Sequence, residues 1–153
     1  MRLSKVFKMR ILLLCFSAFF LLMTSLAFSE HDPLKSFLWD FRIVLVSTPS
    51  SEVDDHVSEL KRAQEAINER HILWFVFGDD SVATNYDNAE PLGEEFRPTV
   101  LKRYFSEQSE GKTQVRLIGK DGGVKARSAK LDLQQLFALI DTMPMRQAEM
   151  RDD

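Results

Sequence analysis

Cysteine is almost absent from this sequence, whose 153 residues contain one, Cys15. It lies inside an apolar N-terminal run, so a chain that loses this run on export has no thiol. Without cysteine a protein has no disulfide, thiolate nucleophile, zinc–thiolate site or iron–sulfur cluster. Thiol-based oxidoreductase and peroxidase activities are therefore excluded for such a mature chain.

An excess of basic residues is also lacking. The whole chain has 20 Lys and Arg against 23 Asp and Glu, and four of these bases precede residue 11. Residues 30–153 therefore keep 16 bases and 23 acids, a net charge of about −7. General nucleic-acid binding needs a basic surface, so we do not expect this class of function. The sequence also lacks internal repeats, low-complexity tracts and Asn-x-Ser/Thr glycosylation sites.

The N-terminus predicts a signal peptide over residues 1–29. Four bases precede the apolar run Ile11–Met23, and Ala27-Phe28-Ser29 has small residues where a signal peptidase reads the chain. We predict cleavage after Ser29 and export to the periplasm or the extracellular space. The alternative is an uncleaved anchor, although the run is short against the ~20 residues that a span needs. After cleavage we expect no membrane span and no cofactor.

The remaining residues predict one α/β domain over 30–150, with 151–153 as a tail. Continuous apolar runs at Phe41–Ser47 and Ile72–Gly78 are typical of strands buried on both faces. Between them, apolar residues at helical spacing predict a helix of about five turns from near Ser51, which would cap its first turn. Such a βαβ unit has parallel strands and a right-handed crossover.

The second half predicts a shorter helix, a hairpin and a closing helix. Pro98 suits a first helical position, and the closing helix would contain Leu133 to Ile140 and end at Pro144. Alternating residues on both sides of Lys120-Asp121-Gly122-Gly123 predict the hairpin. The order is β-α-β-α-β-β-α, a thioredoxin-like sheet with a central parallel pair and an antiparallel edge hairpin.

Two segments carry a family resemblance. "LIGKDGGVKARS" and "LFALIDTMPMRQAEM", within residues 117–150, resemble a family of small exported bacterial proteins of unknown function. That family is similar to the thioredoxin/peroxiredoxin-like domain of vertebrate equarin and sushi-repeat matrix proteins. The resemblance implies a thioredoxin-like fold but no catalytic residues. Thr113-Gln114 stands where thioredoxins place a cis-proline, so that proline is missing too.

The turn after the first strand is the first candidate site. Thr48, Pro49, Ser50 and Ser51 occupy the position at which thioredoxins carry their redox cysteines. A helix N-terminus there can hold an anion, yet the acids that follow supply negative charge themselves. We expect helix capping by the serines, with a serine nucleophile as the less favoured alternative.

The hairpin is the second candidate site. If its apolar residues face the core, Arg116, Lys125 and Arg127 share the other face and form a cationic patch on an acidic protein. The patch suits an acidic protein partner or another polyanionic surface. The alternative is an edge strand kept soluble by its charges.

Two further sets of residues are not predicted to form sites. The acids and histidines of "DDH", of "HD" and of the loop from Asp79 to Glu95 lack the spacing of a metal site, so we expect none. Core packing explains Trp39 and Trp74.

Two functions remain open. The first is a non-enzymatic binding module that acts through surface contacts. The alternative is a thiol-independent enzyme or small-ligand protein of peroxiredoxin-like descent that uses residues 48–51. Whether the chain is an enzyme is left open, with the binding module favoured.

Overall fold

The computed structural model describes residues 32–87, 92–105 and 111–152, so the predicted signal segment lies outside the described residues. Five described strands form one sheet: β1 Arg42–Ser47, β2 Ile72–Phe77, β3 Val82–Thr84, β4 Gln114–Ile118 and β5 Val124–Ser128. The described helices are α1 Val53–Arg62, α2 Gln64–Glu69, α3 Phe96–Tyr104, α4 Leu133–Asp141 and α5 Pro144–Asp152. Two 3-10 turns, Lys35–Phe37 and Ser50–Glu52, precede β1 and α1.

The sheet has the strand order β3-β2-β1-β4-β5, with β1 at its centre. Strands β1 and β2 pair in parallel, whereas the other three pairs are antiparallel. The predicted α/β class, the parallel pair and the hairpin are therefore confirmed. Strand β3 and helix α5 are additional to the predicted element order, and α5 reaches into the segment expected to be a tail.

Both faces of the sheet are buried, because successive residues of β1 and β2 point to opposite sides. On one face Val44, Val46 and Trp74 pack with residues of α1, α2 and α4. On the other face Ile43 and Leu45 form a second core with residues of β2, β4, α3 and the segment around the first 3-10 turn. These further members are Leu73, Phe75, Phe77, Ile118, Phe96, Val100, Leu34 and Phe37. This double burial explains the continuous apolar runs.

Helix boundaries differ from the prediction in three places, one non-helical residue and two prolines. The five-turn helix is divided at Ala63, whose φ of −96° and ψ of 17° are not helical. Pro98 is the third residue of α3, where a missing N–H leaves no bond unmade. Pro144 begins α5 instead of ending the closing helix, because proline suits a first helical position.

Two expectations about single residues were wrong. Ser51 lies inside the 3-10 turn, and neither Pro49 nor Glu52, the actual N-cap residues, makes a side-chain cap bond. Trp74 is buried, but Trp39 is 67% exposed and contributes little to either core. In the part of the chain that the structure describes, no helix is both long and apolar enough to cross a bilayer.

Candidate functional site

The turn after β1 lies at the carboxyl end of the parallel pair. Thr48 continues from β1 and is buried, and its amide donates to the Phe77 carbonyl at 3.0 Å. Ser50 is exposed, and its hydroxyl donates to Asp79 Oδ2 at 2.8 Å. Because Ser50 also accepts from the Asp79 amide, it ties α1 to the end of β2.

Four polar side chains meet beside this turn, and we call them the Glu52 cluster: Thr48, Glu52, His56 and Thr113. The hydroxyls of Thr48 and Thr113 are 2.7 Å apart, and both donate to Glu52 Oε2, at 3.2 and 2.7 Å. His56 Nε2 lies 3.7 Å from the same oxygen. The cluster thus joins the end of β1, the start of α1 and the residue before β4.

The environment of Glu52 stabilises its charged form. The hydrogen bond from Thr113 is the main reason why the pKa of Glu52 lies below its usual range, and Thr48 and His56 act in the same direction. A carboxylate is an acceptor only, so it holds both threonine hydroxyls in place. His56 was not expected to be a site residue, and neither Glu52 nor Thr113 could be predicted as one, since only the fold brings residue 113 next to residue 48.

The hairpin residues predicted as one cationic patch lie in two places. Arg116 and Arg127 face each other across β4 and β5, but the ladder shifts between Leu117 and Ile118 and leaves Lys125 without a partner residue. This bulge breaks the alternation that placed Lys125 beside the two arginines. Lys125 instead forms a 2.7 Å ion pair with Asp121.

Arg116 is also not a surface residue, because only 8% of it is exposed. Its guanidinium lies 5.0 Å from the centre of the Phe105 ring. It donates to the carbonyls of Tyr104 and Val115, each at 3.0 Å, and to Gln114 Oε1 at 2.6 Å. Burial lowers the pKa of Arg116, and the nearby charge of Arg127 lowers it further. No carboxylate among the described residues pairs with this buried cation.

A cavity of about 300 Å³ opens beside these two arginines. We call it the hairpin cavity, and its polar lining consists of Lys112, Thr113, Gln114, Arg116, Arg127 and Ser128. The described residues of this lining include three cations and no acid. Thr113 belongs to both the cavity and the Glu52 cluster, so the two features adjoin.

An ionic network lies at the opposite end of β1, where the sequence analysis expected no site. Arg42 is 1% exposed and makes two hydrogen bonds to Glu149, at 3.0 and 3.2 Å. Lys120 pairs with the same carboxylate at 2.8 Å. Arg70 holds Asp141 through two hydrogen bonds at 2.9 and 2.7 Å. Arg42, a charged residue at the start of an otherwise apolar strand, is the feature of the sequence that indicates this network.

Metal coordination finds no support within the described ranges. No three His, Cys, Asp or Glu side chains of residues 32–87, 92–105 and 111–152 are grouped closely enough to hold an ion. Part of the acidic loop after β2, residues 88–91, lies outside the described residues.

Comparison with known proteins gives a family but no activity. No curated protein and no solved structure matches the chain significantly. A family model described as "Domain of unknown function (DUF4174)" matches residues 33–149, which is well over half of the sequence. The matched range contains all five strands, the Glu52 cluster and the hairpin cavity. The chain therefore belongs to the DUF4174 family.

Proposed function

We propose that this protein is an exported, cysteine-free domain of thioredoxin-like architecture that binds an acidic segment of a partner protein at the hairpin cavity. Three features support the architecture. A central strand has a parallel neighbour on one side and an antiparallel hairpin on the other. Helices α1 and α2 make the crossover between the parallel strands. The turn after β1 touches Thr113 just before β4, as the redox turn of a thioredoxin touches its cis-proline loop.

Export is supported by the N-terminal pattern alone. The bases, the apolar run and the small residues at 27 and 29 together predict removal of residues 1–29. The intact mass of protein recovered from the exported fraction tests this step. A mass that begins at Glu30 agrees with cleavage, whereas a full-length chain in the membrane fraction would point to an anchor.

The burial of Arg116 with no carboxylate partner in the part of the chain that the structure describes is the observation that carries the binding proposal. Buried charges in proteins are normally paired, because the interior solvates an isolated ion poorly. Among the described residues Arg116 donates to neutral oxygens only, and Arg127 adds a second positive charge beside it. An anion that enters the hairpin cavity would supply the missing charge.

The shape of the site favours a carboxylate side chain of a protein. A planar carboxylate matches the fork of a guanidinium and forms two parallel hydrogen bonds with it. The cavity of about 300 Å³ is at the small end for a ligand site, so it accommodates one acidic side chain better than a bulky molecule. Strand β5 is an edge of the described sheet, and an extended peptide can pair along such an edge.

Binding of a fluorescently labelled poly-glutamate peptide tests the proposal by anisotropy. We expect saturable binding that weakens between about 20 mM and about 150 mM salt, because the contacts are ionic. The double variant Lys112→Glu/Arg127→Glu changes two exposed residues of the cavity. It is expected to weaken binding by about tenfold or more, the equivalent of about 1.4 kcal/mol.

The matched control reverses two exposed cations on α1, in the variant Lys61→Glu/Arg62→Glu. It alters the net charge by the same amount but leaves the hairpin cavity unchanged. Equal loss in both double variants would show that net charge alone attracts the peptide. Absence of binding by the unaltered protein would also overturn the proposal.

A second candidate function is a thiol-independent site for a small ligand at residues 48–51. The observation in its favour is the Glu52 cluster, which places two hydroxyls and a carboxylate at the carboxyl end of the parallel strands, where open α/β sheets bind ligands. The double variant Ser50→Ala/Ser51→Ala separates the two candidates. Loss of a ligand detected by native mass spectrometry, with peptide binding unchanged, would favour this second function.

A further inference from the structure

A second cavity lies at the other end of the sheet, and nothing in the proposed function uses it. It has a volume of about 340 Å³ and lies between the hairpin turn and the start of α5. We call it the methionine cavity. Its charged lining residues are Arg42, Lys120, Lys125 and one acid, Asp121, and its apolar lining residues are Met143, Pro144 and Met145. Cationic and apolar groups therefore line the same cavity.

Within the described residues, the ionic network around this cavity has one more cation than it has carboxylates. Glu149 alone receives Arg42, Lys120 and, at 3.8 Å, Arg146. Arg146 also pairs with Glu69 and Asp141, and Asp141 pairs with Arg70. The four cations Arg42, Arg70, Lys120 and Arg146 thus share three carboxylates, while Lys125 and Asp121 neutralise each other. A single added negative charge would balance the set.

The rim of the cavity also exposes apolar side chains. Met145 is 42% exposed, and Met143 is half-buried. Methionine is flexible and polarisable, so it adapts to apolar ligands of different shape. The apolar side of the cavity therefore suits a hydrocarbon body.

A strained tryptophan lies next to the same turn. Trp39 has φ 71°, a left-handed conformation that an aromatic residue rarely adopts, and its amide donates to the Lys120 carbonyl at 2.7 Å. Its side chain is 67% exposed, so core packing does not offset the strain. Strained residues of this kind cluster at ligand sites.

From these observations we infer that the methionine cavity binds a small organic monoanion with an apolar body, such as a medium-chain carboxylate. The carboxylate lies against Lys120, on the side of the cavity away from the neutralised Lys125–Asp121 pair, and the hydrocarbon chain lies on Met143, Pro144 and Met145. One negative charge matches the excess of one cation, and the volume is at the low end for small-molecule sites. This inference does not depend on the proposed function, because the two cavities share no lining residue.

Methyl NMR of the purified protein with decanoate as the probe tests the inference. We expect saturable shifts of the Met143 and Met145 methyl signals below about 1 mM decanoate. Acetate, which has no apolar body, and decylammonium, which has the opposite charge, are expected to produce no saturable shift at the same concentration. Equal responses to decanoate and decylammonium would overturn the inference, as would the absence of saturation.

The variant Met145→Asp provides the structural control, because it changes an exposed residue and is compatible with folding. It is expected to weaken decanoate binding by about tenfold or more. Met150→Asp is its match, since Met150 is also 42% exposed on α5 but does not line the cavity. Equal weakening by both variants would indicate general surface adsorption and overturn the assigned site. Binding of anionic phosphatidylglycerol vesicles in preference to free decanoate would overturn it as well.

Discussion

Arg42 and Glu149 are 107 positions apart in the chain, yet two parallel hydrogen bonds of 3.0 and 3.2 Å join them. Arg42 begins the central strand and Glu149 lies in the last helix, so the pair fixes α5 against the start of β1. Arg42 also donates to the Arg70 carbonyl at 2.9 Å. The arginine is 1% exposed, and its three hydrogen bonds go to oxygens of Glu149 and Arg70.

Removing the carboxylate of this pair should destabilise the fold. Glu149→Ala leaves Arg42 buried without a counter-ion and takes the partner from Lys120 as well. Loss of one partner of a buried ion pair typically costs about 3 kcal/mol or more. We expect a decrease of this size in the free energy of unfolding, measured by urea denaturation.

The control for this variant is Glu65→Ala, at an exposed position on α2. Surface substitutions of this kind change stability by less than about 0.5 kcal/mol. The double variant Arg42→Met/Glu149→Leu should lose less stability than the single change at Glu149, since no unpaired charge remains. A double variant that is less stable than Glu149→Ala would contradict the assigned role of the unpaired charge.

The strands of the central pair could be predicted from sequence because they are continuous apolar runs. Strand β3 could not, since Val82–Thr84 is only three residues long and lies in an acidic loop. Its place in the sheet comes from pairing with β2, and the Asn85 side chain bonds to the backbone of Trp74 and Ile72 just beyond it. Such pairing depends on tertiary contacts that a short local pattern does not encode.

In the candidate sites too, the sequence predicts features that depend on neighbouring residues and does not predict contacts between residues far apart in the chain. The prediction identified Arg116 and Arg127, because alternation along a strand is local. It assigned Lys125 to the same face, because the bulge at the hairpin cannot be read from alternation alone. The partners of Glu52 and Arg42 are 61 and 107 positions away, and no periodicity connects residues at such distances.

Gly122 should not tolerate a side chain. Its φ is 80°, and a Cβ atom there would lie 3.1 Å from Leu38 Cδ1. Gly122→Ala therefore combines backbone strain with a tight contact, and we expect a loss of about 1–2 kcal/mol in the free energy of unfolding.

Substitutions at two other glycines distinguish the cost of backbone strain from the cost of the tight contact. Gly111 has φ 74° but open space around it, so Gly111→Ala should show the backbone cost alone. Gly93 has open space and no positive φ, and Gly93→Ala should be neutral or slightly stabilising. Thermal denaturation of all three variants should give the order Gly122, Gly111, Gly93 from the largest loss to the smallest. Equal losses at Gly122 and Gly111 would show that Leu38 adjusts without cost.

Thr113→Val should raise the pKa of Glu52. The hydrogen bond from Thr113 is the largest cause of the lowered pKa, and valine keeps the shape of threonine without the hydroxyl. An NMR titration of the Glu52 side-chain carboxyl measures the change. Thr99→Val on α3 is the matched control and should leave this titration unchanged. An unaltered Glu52 titration in the Thr113 variant would contradict the arrangement of the Glu52 cluster.

The Arg70–Asp141 ion pair should make stability depend on pH in the acidic range. The hydrogen bonds from Arg70 hold the pKa of Asp141 below its usual range, although partial burial acts in the opposite direction. The folded state therefore binds fewer protons than the unfolded state between the two pKa values, and stability rises with pH there. The contribution of this pair is complete above the unfolded-state pKa of about 3.9 and is lost as the pH falls through the lower folded-state pKa.

Asp141→Asn should remove this dependence because it lacks the titrating group, and Arg70→Gln should reduce it, because Arg70 is the largest cause of the lowered pKa while Arg146 still acts in the same direction. At neutral pH each variant should be less stable than the unaltered protein by about 1.5 kcal/mol or more, the usual value of a hydrogen bond to a charged group. For Asp141→Asn the difference should shrink as the pH falls below about 4, because the protonated carboxyl of the unaltered protein loses its charge as well. Urea denaturation at a series of pH values measures this convergence, and a difference that stays constant down to low pH would show that Asp141 stabilises the fold by packing and not by its charge.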